Sequence, residues 1–195
     1  LVATTGSLDS DFVQLARRVL VDNINLEYLS EDYTYIFEIC DPSDPHIVEE
    51  EAGAYLIGAR NMTTGAMMQE DFLRHHAHEM GAKRPEHFNC SFGELKEVMK
   101  TCKHEGFMVI DLKNYSTLFK WKSPHYLTKK FIMRMGQNKV DYMFNNKEEF
   151  LQSIDEEFYS CVEYVTSTYH IDYWKQLSDQ DRRCIIENYF DGVYE

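Results

Sequence analysis

The chain has 195 residues, of which 44% are hydrophobic and 14% aromatic, and its formal net charge is −13. This composition indicates a globular protein of one domain, or of one domain with a small appendage, and excludes a disordered acidic tail. No apolar run approaches the roughly 20 residues that a membrane-spanning helix needs, so no membrane segment is expected. The five scattered cysteines include no CxxC pair, which favours a cytoplasmic, reducing setting over a disulfide framework.

The first part of the chain predicts a helix followed by strands. "SLDSDFVQLARRVLVDNIN" carries apolar residues at helical spacing behind a cap at Ser10 or Asp9. "YTYIFEIC" is rich in aromatic and β-branched residues, as a strand is, and "DPSDP" ends it. "HIVEEE" and "AYLIGARNMTTGAMM" predict two further strands, the second turning at residues 63–65.

The rest of the chain predicts helices around one hairpin. "QEDFLRHHAHEM" and "SFGELKEVMKTCK" are helical patterns, and Ser91 with Glu94 has the spacing of a capping box. "FMVIDL" and "TLFKWKS" predict a hairpin across "KNYS". From about residue 146, the patterns "NKEEFLQSIDEEFYSCVEYVTSTYH" and "SDQDRRCIIENYF" predict amphipathic helices. One face of the first is formed by Phe150, Ile154, Phe158 and Val162. The patterns predict an α+β fold, with an antiparallel unit followed by a small helical one.

Positive charge is concentrated in one stretch of this acidic chain. Residues 112–140 contain no Asp or Glu but seven cations, namely Lys113, Lys120, Lys122, Lys129, Lys130, Arg134 and Lys139. Strand alternation places Lys120 and Lys122 on one face and Trp121 on the other. Two adjacent ammonium groups repel each other unless an anion lies between them, and phosphate fits that role. The alternative is a solvated strand edge that limits aggregation.

Two glutamates occur where a ligand could use them. Glu105 and Gly106 begin the first hairpin strand, where a carboxylate suits a divalent metal and glycine allows close backbone approach. Glu38 lies within an otherwise apolar strand and needs a partner, such as a ribose hydroxyl or a cation. For Glu38 taken alone, the favoured alternative is a core glutamate paired with Arg60.

Taken in order, "IFEICDP", "EGFMV" and "FKWKSPHY" resemble the later motifs of the covalent nucleotidyltransferases. They look most like the RNA ligase 1 branch found in phages, which "ATTGSLDSDF" and "LIGARNMTTGAMM" also resemble. The resemblance covers about residues 1–130. It implies an antiparallel-sheet nucleotidyltransferase domain at residues 1–130 and a helical C-terminal domain at residues 131–195.

The resemblance also implies a reaction and a site. The family uses ATP and Mg²⁺ to join RNA 5′-phosphate and 3′-hydroxyl ends, such as those of broken tRNA, through lysyl-AMP and RNA-adenylate intermediates. Such phosphoryl-type transfers depend on positioning, cationic clamps and metal. Six residues stand at matching positions: Glu38 for the ribose, Glu105 with Gly106 for metal and catalysis, Lys120 and Lys122 for the nucleotide phosphates, and Tyr126 for the adenine.

One departure from the family pattern bears on activity. The K-x-[DN]-G motif, whose lysine becomes adenylylated, precedes the other motifs in the family, but the first lysine here is Lys83. Thr5 stands where the family usually has a lysine just before G-S. We therefore expect a fragment, incomplete at its N-terminus, that does not form enzyme-AMP. The alternatives are a non-catalytic RNA- or nucleotide-binding domain, or a related capping guanylyltransferase or DNA ligase.

Overall fold

The structure is a computed structural model that describes residues 1–113, 116–154 and 156–194. Within these residues the chain forms nine α-helices and four β-strands, and the strands make two antiparallel two-stranded sheets. The predicted α+β class is confirmed. The chain divides into a first unit, Leu1–Cys90 with Ile110–Leu118, and a second unit, Ser91–Val109 with Phe119–Glu195. A functional boundary after residue 130 stays a prediction.

The first unit begins with the predicted helix. Helix α1 spans Asp11–Asn23, and the hydroxyl of Ser10 accepts a hydrogen bond from the backbone N–H of Val13 at 3.3 Å. Ser10 is therefore the cap, since it satisfies one of the amides that a helix start leaves unpaired. A short 3-10 helix, Leu26–Tyr28, leads from α1 towards the strands.

Two predicted strands form the sheet of the first unit. Strands β1 (Tyr33–Cys40) and β2 (Gly53–Asn61) are antiparallel along their whole length, with an irregularity between Ile36 and Phe37. The third predicted strand, residues 46–51, is wrong, because this segment forms a connecting loop. Its run of acidic residues is poorly suited to a strand, in which glutamate is depleted.

An apolar core lies between the sheet and the helices of the first unit. After β2 the chain turns as predicted and enters α2 (Glu70–Met80), which ends at Gly81 in the left-handed conformation. Beyond α2, Lys83 pairs with β2, because its N–H donates to the Ala54 carbonyl at 2.9 Å. The apolar core comprises Val19, Leu20, Ile24, Ala54, Leu56, Ala59, Leu73, Ala77 and Met80, and the part-buried Arg84 donates to the Leu56 carbonyl beside it.

The second unit begins with a capped helix packed on the hairpin. Helix α3 (Phe92–Lys100) has the predicted capping box, in which Ser91 and Glu94 exchange side-chain and backbone hydrogen bonds. Strands β3 (Gly106–Ile110) and β4 (Thr117–Lys122) form the predicted hairpin. Of the predicted turn "KNYS", residues 114 and 115 lie outside the described residues. The α3 side of the hairpin buries Leu95, Met99 and Cys102 against Phe107, Val109 and Trp121.

Six helices follow the hairpin: α4 (Pro124–Met133), α5 (Gln137–Asn145), α6 (Lys147–Gln152), α7 (Tyr159–Thr168), α8 (Ile171–Gln176) and α9 (Asp179–Tyr194). Both segments predicted to be helical after residue 146 contain helices, and in the first a 3-10 turn, Glu156–Phe158, separates α6 from α7. The Phe131 ring stacks with both Phe150 and Phe158, on either side of this break, at centroid distances of 5.9 and 5.3 Å.

The core of the second unit mixes apolar and charged side chains. Fully buried apolar residues include Ile132, Val140, Met143, Val162, Val165, Trp174 and Ile186. Ser123, His125, Thr128, Lys129, Arg182 and Arg183 are also buried. Among the described residues, no helix combines the length and apolar character needed to cross a bilayer.

Candidate functional site

Lys122 and Glu105 are brought together at one end of the β3–β4 hairpin. The Lys122 ammonium donates to the Glu105 carboxylate at 2.7 Å. This hydrogen bond is the main reason that the pKa of Lys122 is raised, and partial burial opposes the shift. The two side chains that sequence reasoning assigned to a phosphate and to a metal therefore form an ion pair with each other.

Tyr126 lies beside this ion pair in the first turn of α4. The Lys122 Nζ is 4.6 Å from the centroid of the tyrosine ring, and the Lys130 Nζ is 5.9 Å from it. An ammonium group over an aromatic face is attracted to the ring's negative quadrupole. The ring is only 8% exposed. Contact between Tyr126 and an adenine stays a prediction, and the charges that the ring meets in the structure are cations.

Ser123 joins the elements that carry the site, and sequence reasoning missed this role. Its hydroxyl donates to the carbonyl of His104 at 2.6 Å and accepts from the N–H of Tyr126 at 3.1 Å. Its own N–H donates to the carbonyl of Glu105 at 2.8 Å. The serine is completely buried. A serine before Pro124 is the signal that could have found it, because this pair is typical of a helix cap followed by proline.

Gly106 is required by the hairpin itself. Its φ of +135° disfavours other residues, and an added Cβ would collide with the carbonyl oxygen of Trp121. Gly106 does allow a close backbone approach, as predicted, but the group that approaches it is the backbone of β4 at Trp121. Contact of Gly106 with a nucleotide stays a prediction.

Lys120 differs from Lys122 in its surroundings. Trp121 packs towards α3 and stacks on Phe92 with a centroid distance of 5.5 Å, so the predicted aromatic anchor is confirmed. Strand alternation leaves the two lysines on the opposite face. Lys120 is exposed and forms no ion pair with another described residue. Its charge is therefore available to an anion.

Glu38 belongs to the first unit and lies on the exposed side of β1. The alternative of a core glutamate paired with Arg60 is wrong, because the Glu38 side chain is 56% exposed and Arg60 donates to the Gly65 carbonyl. The Glu38 carboxylate lies 3.7 Å from His46 Nε2, and His46 Nδ1 lies 4.0 Å from Cys40 Sγ. Burial is the largest cause that raises the pKa of Cys40 to about 11, and Glu38 adds to it. A ribose contact of Glu38 stays a prediction.

The cationic stretch is not a continuous surface. Lys129 is buried, with its side chain 8% exposed, and its ammonium lies 3.4 Å from the Glu187 carboxylate. Arg134 and Lys139 line a shallow open cleft near the start of α5. The number of cations in residues 112–140 is therefore larger than the number of positive charges on the surface, because Glu187, from a distant part of the sequence, pairs with the buried Lys129.

Metal binding has limited support from side chains. Within the described ranges, no three His, Cys, Asp or Glu side chains lie together as a protein-made metal site would require. Mg²⁺ commonly uses one or two carboxylates together with substrate phosphates. Glu105 fits that pattern, so a magnesium site at this residue remains a proposal that depends on a bound phosphate.

A comparison of the chain with known protein families, curated proteins and solved structures finds no match. The assignment to the RNA ligase 1 family therefore rests on the three motifs and stays a prediction.

Proposed function

We propose that the chain carries the nucleotide-phosphate site of an ATP-dependent RNA ligase that joins 5′-phosphate and 3′-hydroxyl RNA ends, including those of broken tRNA. The supporting observation is the 2.7 Å pair between Lys122 and Glu105, with the Lys122 ammonium over the Tyr126 ring. Residues of two of the three motifs, "EGFMV" and "FKWKSPHY", thus meet at one place. Their chemistry suits an anionic ligand that arrives with a divalent cation.

The ion pair supports this proposal through its chemistry. An ammonium has three donors, and the Glu105 contact uses one of them, so Lys122 retains donors for phosphate oxygens. Mg²⁺, held by Glu105 and the nucleotide phosphates, would neutralise phosphate charge. When a nucleotide binds with its metal, the Lys122–Glu105 ion pair would be replaced by two new ones, in which Lys122 pairs with a phosphate and Glu105 with Mg²⁺. Lys120, exposed on the same strand face, adds a second cation.

A non-catalytic nucleotide-binding domain is the second candidate. It is favoured by the state of the first lysine in the chain, Lys83. The Lys83 ammonium lies 2.6 Å from the Glu51 carboxylate and donates to the Ala52 carbonyl at 2.8 Å. A lysine held by a carboxylate and a carbonyl is poorly placed to act as a nucleophile, because its nitrogen must be free to attack phosphorus. Binding without self-adenylylation fits both candidates.

Calorimetric titration of the chain with ATP and MgCl₂ tests the proposal. We expect binding by the parent chain and a loss of about tenfold or more in Lys122→Ala, as charge-assisted hydrogen bonds contribute roughly 1.5–3 kcal/mol. Lys96→Ala is the matched control, since Lys96 is an exposed lysine of the same unit that lies over the Phe92 ring. Equal affinity of Lys122→Ala and the parent would contradict the proposal.

A second assay separates the ligase from the binding domain. RNA that already carries a 5′-adenylate needs only the sealing step, so it bypasses the lysine attack. A trace of joined product that disappears in Glu105→Gln supports the ligase. Intact ATP binding with no product supports the binding domain. Acid-labile labelling of the chain by radioactive ATP would contradict the expectation that it lacks a nucleophile.

A further inference from the structure

We propose that Lys130 is an additional phosphate-binding cation of this site, and that Tyr126 holds Lys130 and Lys122 at the same anion. The inference rests on the proposed function and adds a residue that lies outside the three motifs. It also predicts that the phosphate chain alone is enough for binding, because both cations would contact phosphate oxygens.

Helix geometry brings Lys130 to the site. Lys130 follows Tyr126 by four residues within α4, and residues at this spacing lie on the same helix face. Its Nζ lies 5.9 Å from the tyrosine ring centroid, and the Lys122 Nζ lies 4.6 Å from it. One ring thus collects an ammonium from the strand and another from the helix. Ser123 fixes their relative positions, since it ends β4 and caps α4.

Of the two lysines at the Tyr126 ring, Lys130 is the one whose charge is not neutralised by a carboxylate of a described residue. The Lys122 charge is neutralised by Glu105 at 2.7 Å. The neighbouring Lys129 is buried against Glu187. Lys130 is exposed, and within the part of the chain that the structure describes it forms no ion pair. Its contribution to affinity should therefore be comparable with that of Lys122.

The polyphosphate class follows from this arrangement. Two cations held at one ring repel each other, and an anion with several charged oxygens relieves that repulsion at both. Orthophosphate carries its charge in one compact group and reaches both ammonium groups less well than a chain of phosphates. The site should therefore bind inorganic tripolyphosphate more tightly than orthophosphate at equal ionic strength.

The test is calorimetric titration of the full chain with inorganic tripolyphosphate and, separately, with orthophosphate. We expect Lys130→Met to weaken tripolyphosphate binding about tenfold, which corresponds to one charge-assisted contact. Lys96→Met removes the same charge and a similar cation–ring contact, with Lys96 Nζ 5.0 Å from the Phe92 ring, and should change affinity less than about twofold. Lys130→Arg keeps the charge and should retain most of the affinity.

The possible results separate a failure of the Lys130 inference from a failure of the proposed function. If Lys122→Met weakens binding but Lys130→Met behaves like Lys96→Met, Lys130 is not part of the site and the proposed function survives. If the parent chain binds neither tripolyphosphate nor ATP, both fail. Tighter binding of orthophosphate than of tripolyphosphate by the parent chain would overturn the polyphosphate assignment. Thermal melting of each variant checks that a loss of affinity is not a loss of fold.

Discussion

The first unit surrounds its sheet with apolar side chains, whereas the second unit places charged side chains among its helices. Every polar or charged residue that is buried among the described residues lies in the second unit: Ser123, His125, Thr128, Lys129, Arg182 and Arg183. In the first unit, the Arg84–Glu70 pair leaves its side chains 17% and 14% exposed, and the Lys83–Glu51 pair has one partner 81% exposed. In the second, Lys129 and Arg183 are buried at the same carboxylate, Glu187.

This difference has a physical consequence for each unit. An apolar core is stabilised by filled volume, so its stability is spread over many contacts. A buried charge costs free energy unless its partner is present, so stability there depends on a few specific groups. The second unit should therefore be the more sensitive to loss of a single charge, and the first to loss of apolar volume.

Glu187→Gln should have the largest effect. It removes the charge that compensates Lys129 at 3.4 Å and Arg183 at 3.0 Å, and breaking a buried pair costs about 3–5 kcal/mol. The control is Glu51→Gln in the first unit, whose exposed pair with Lys83 should contribute less than about 1 kcal/mol. Urea unfolding of both variants measures the difference. Equal losses would remove the contrast between the units.

Leu56→Ala should destabilise the first unit by about 3 kcal/mol. Leu56 is fully buried at the centre of the apolar core, and truncation leaves a cavity as well as losing burial. Its neighbour Ile57 is 43% exposed, so Ile57→Ala should cost less than about 1 kcal/mol. Chemical denaturation again provides the measurement. A small loss in Leu56→Ala would mean that the core can collapse around the missing side chain.

The two serine caps should differ by a smaller amount. Ser91 takes part in a reciprocal capping box with Glu94, so Ser91→Ala should cost about 1 kcal/mol. Ser10 only accepts from the Val13 N–H at 3.3 Å, and Ser10→Ala should cost about 0.5 kcal/mol. Unfolding curves recorded side by side rank the two. The reverse order would show that hydrogen-bond reciprocity does not decide the strength of these caps.

The smallest expected difference between the units is in the reactivity of one buried thiol from each, Cys40 in the first unit and Cys161 in the second. Burial raises the pKa of Cys40 to about 11 and that of Cys161 to about 12, so both remain protonated at pH 8. Cys90 and Cys184 are exposed and should react with iodoacetamide first. Mass spectrometry of labelled peptides should place Cys161 last. As pH rises, these buried thiols ionise first in the unfolded chain, so folding stability should fall.

Local patterns predicted much of the secondary structure. Several elements depend only on residues that lie close together in the chain: α1, β1, β2, the capping box of α3 and the β3–β4 hairpin. Residues 46–51 do not form a strand, because three of these six residues are glutamates, which are depleted in strands. The start of α4 is also local information, because Ser123 and Pro124 in "KSPHY" form an ordinary helix start.

The sequence by itself determined the α+β class, most early elements and the side of β4 on which Lys120 and Lys122 lie, because these properties follow from the periods of strand and helix. Only the tertiary structure decided which charges meet. Lys129 was assigned to a cationic surface, yet Glu187, 58 residues later, holds it inside the second unit. Lys122 of β4 meets Glu105 and the Tyr126 ring of α4 because Ser123 joins strand, loop and helix at one buried point. Charge compensation and burial depend on neighbours in space, which no local pattern contains.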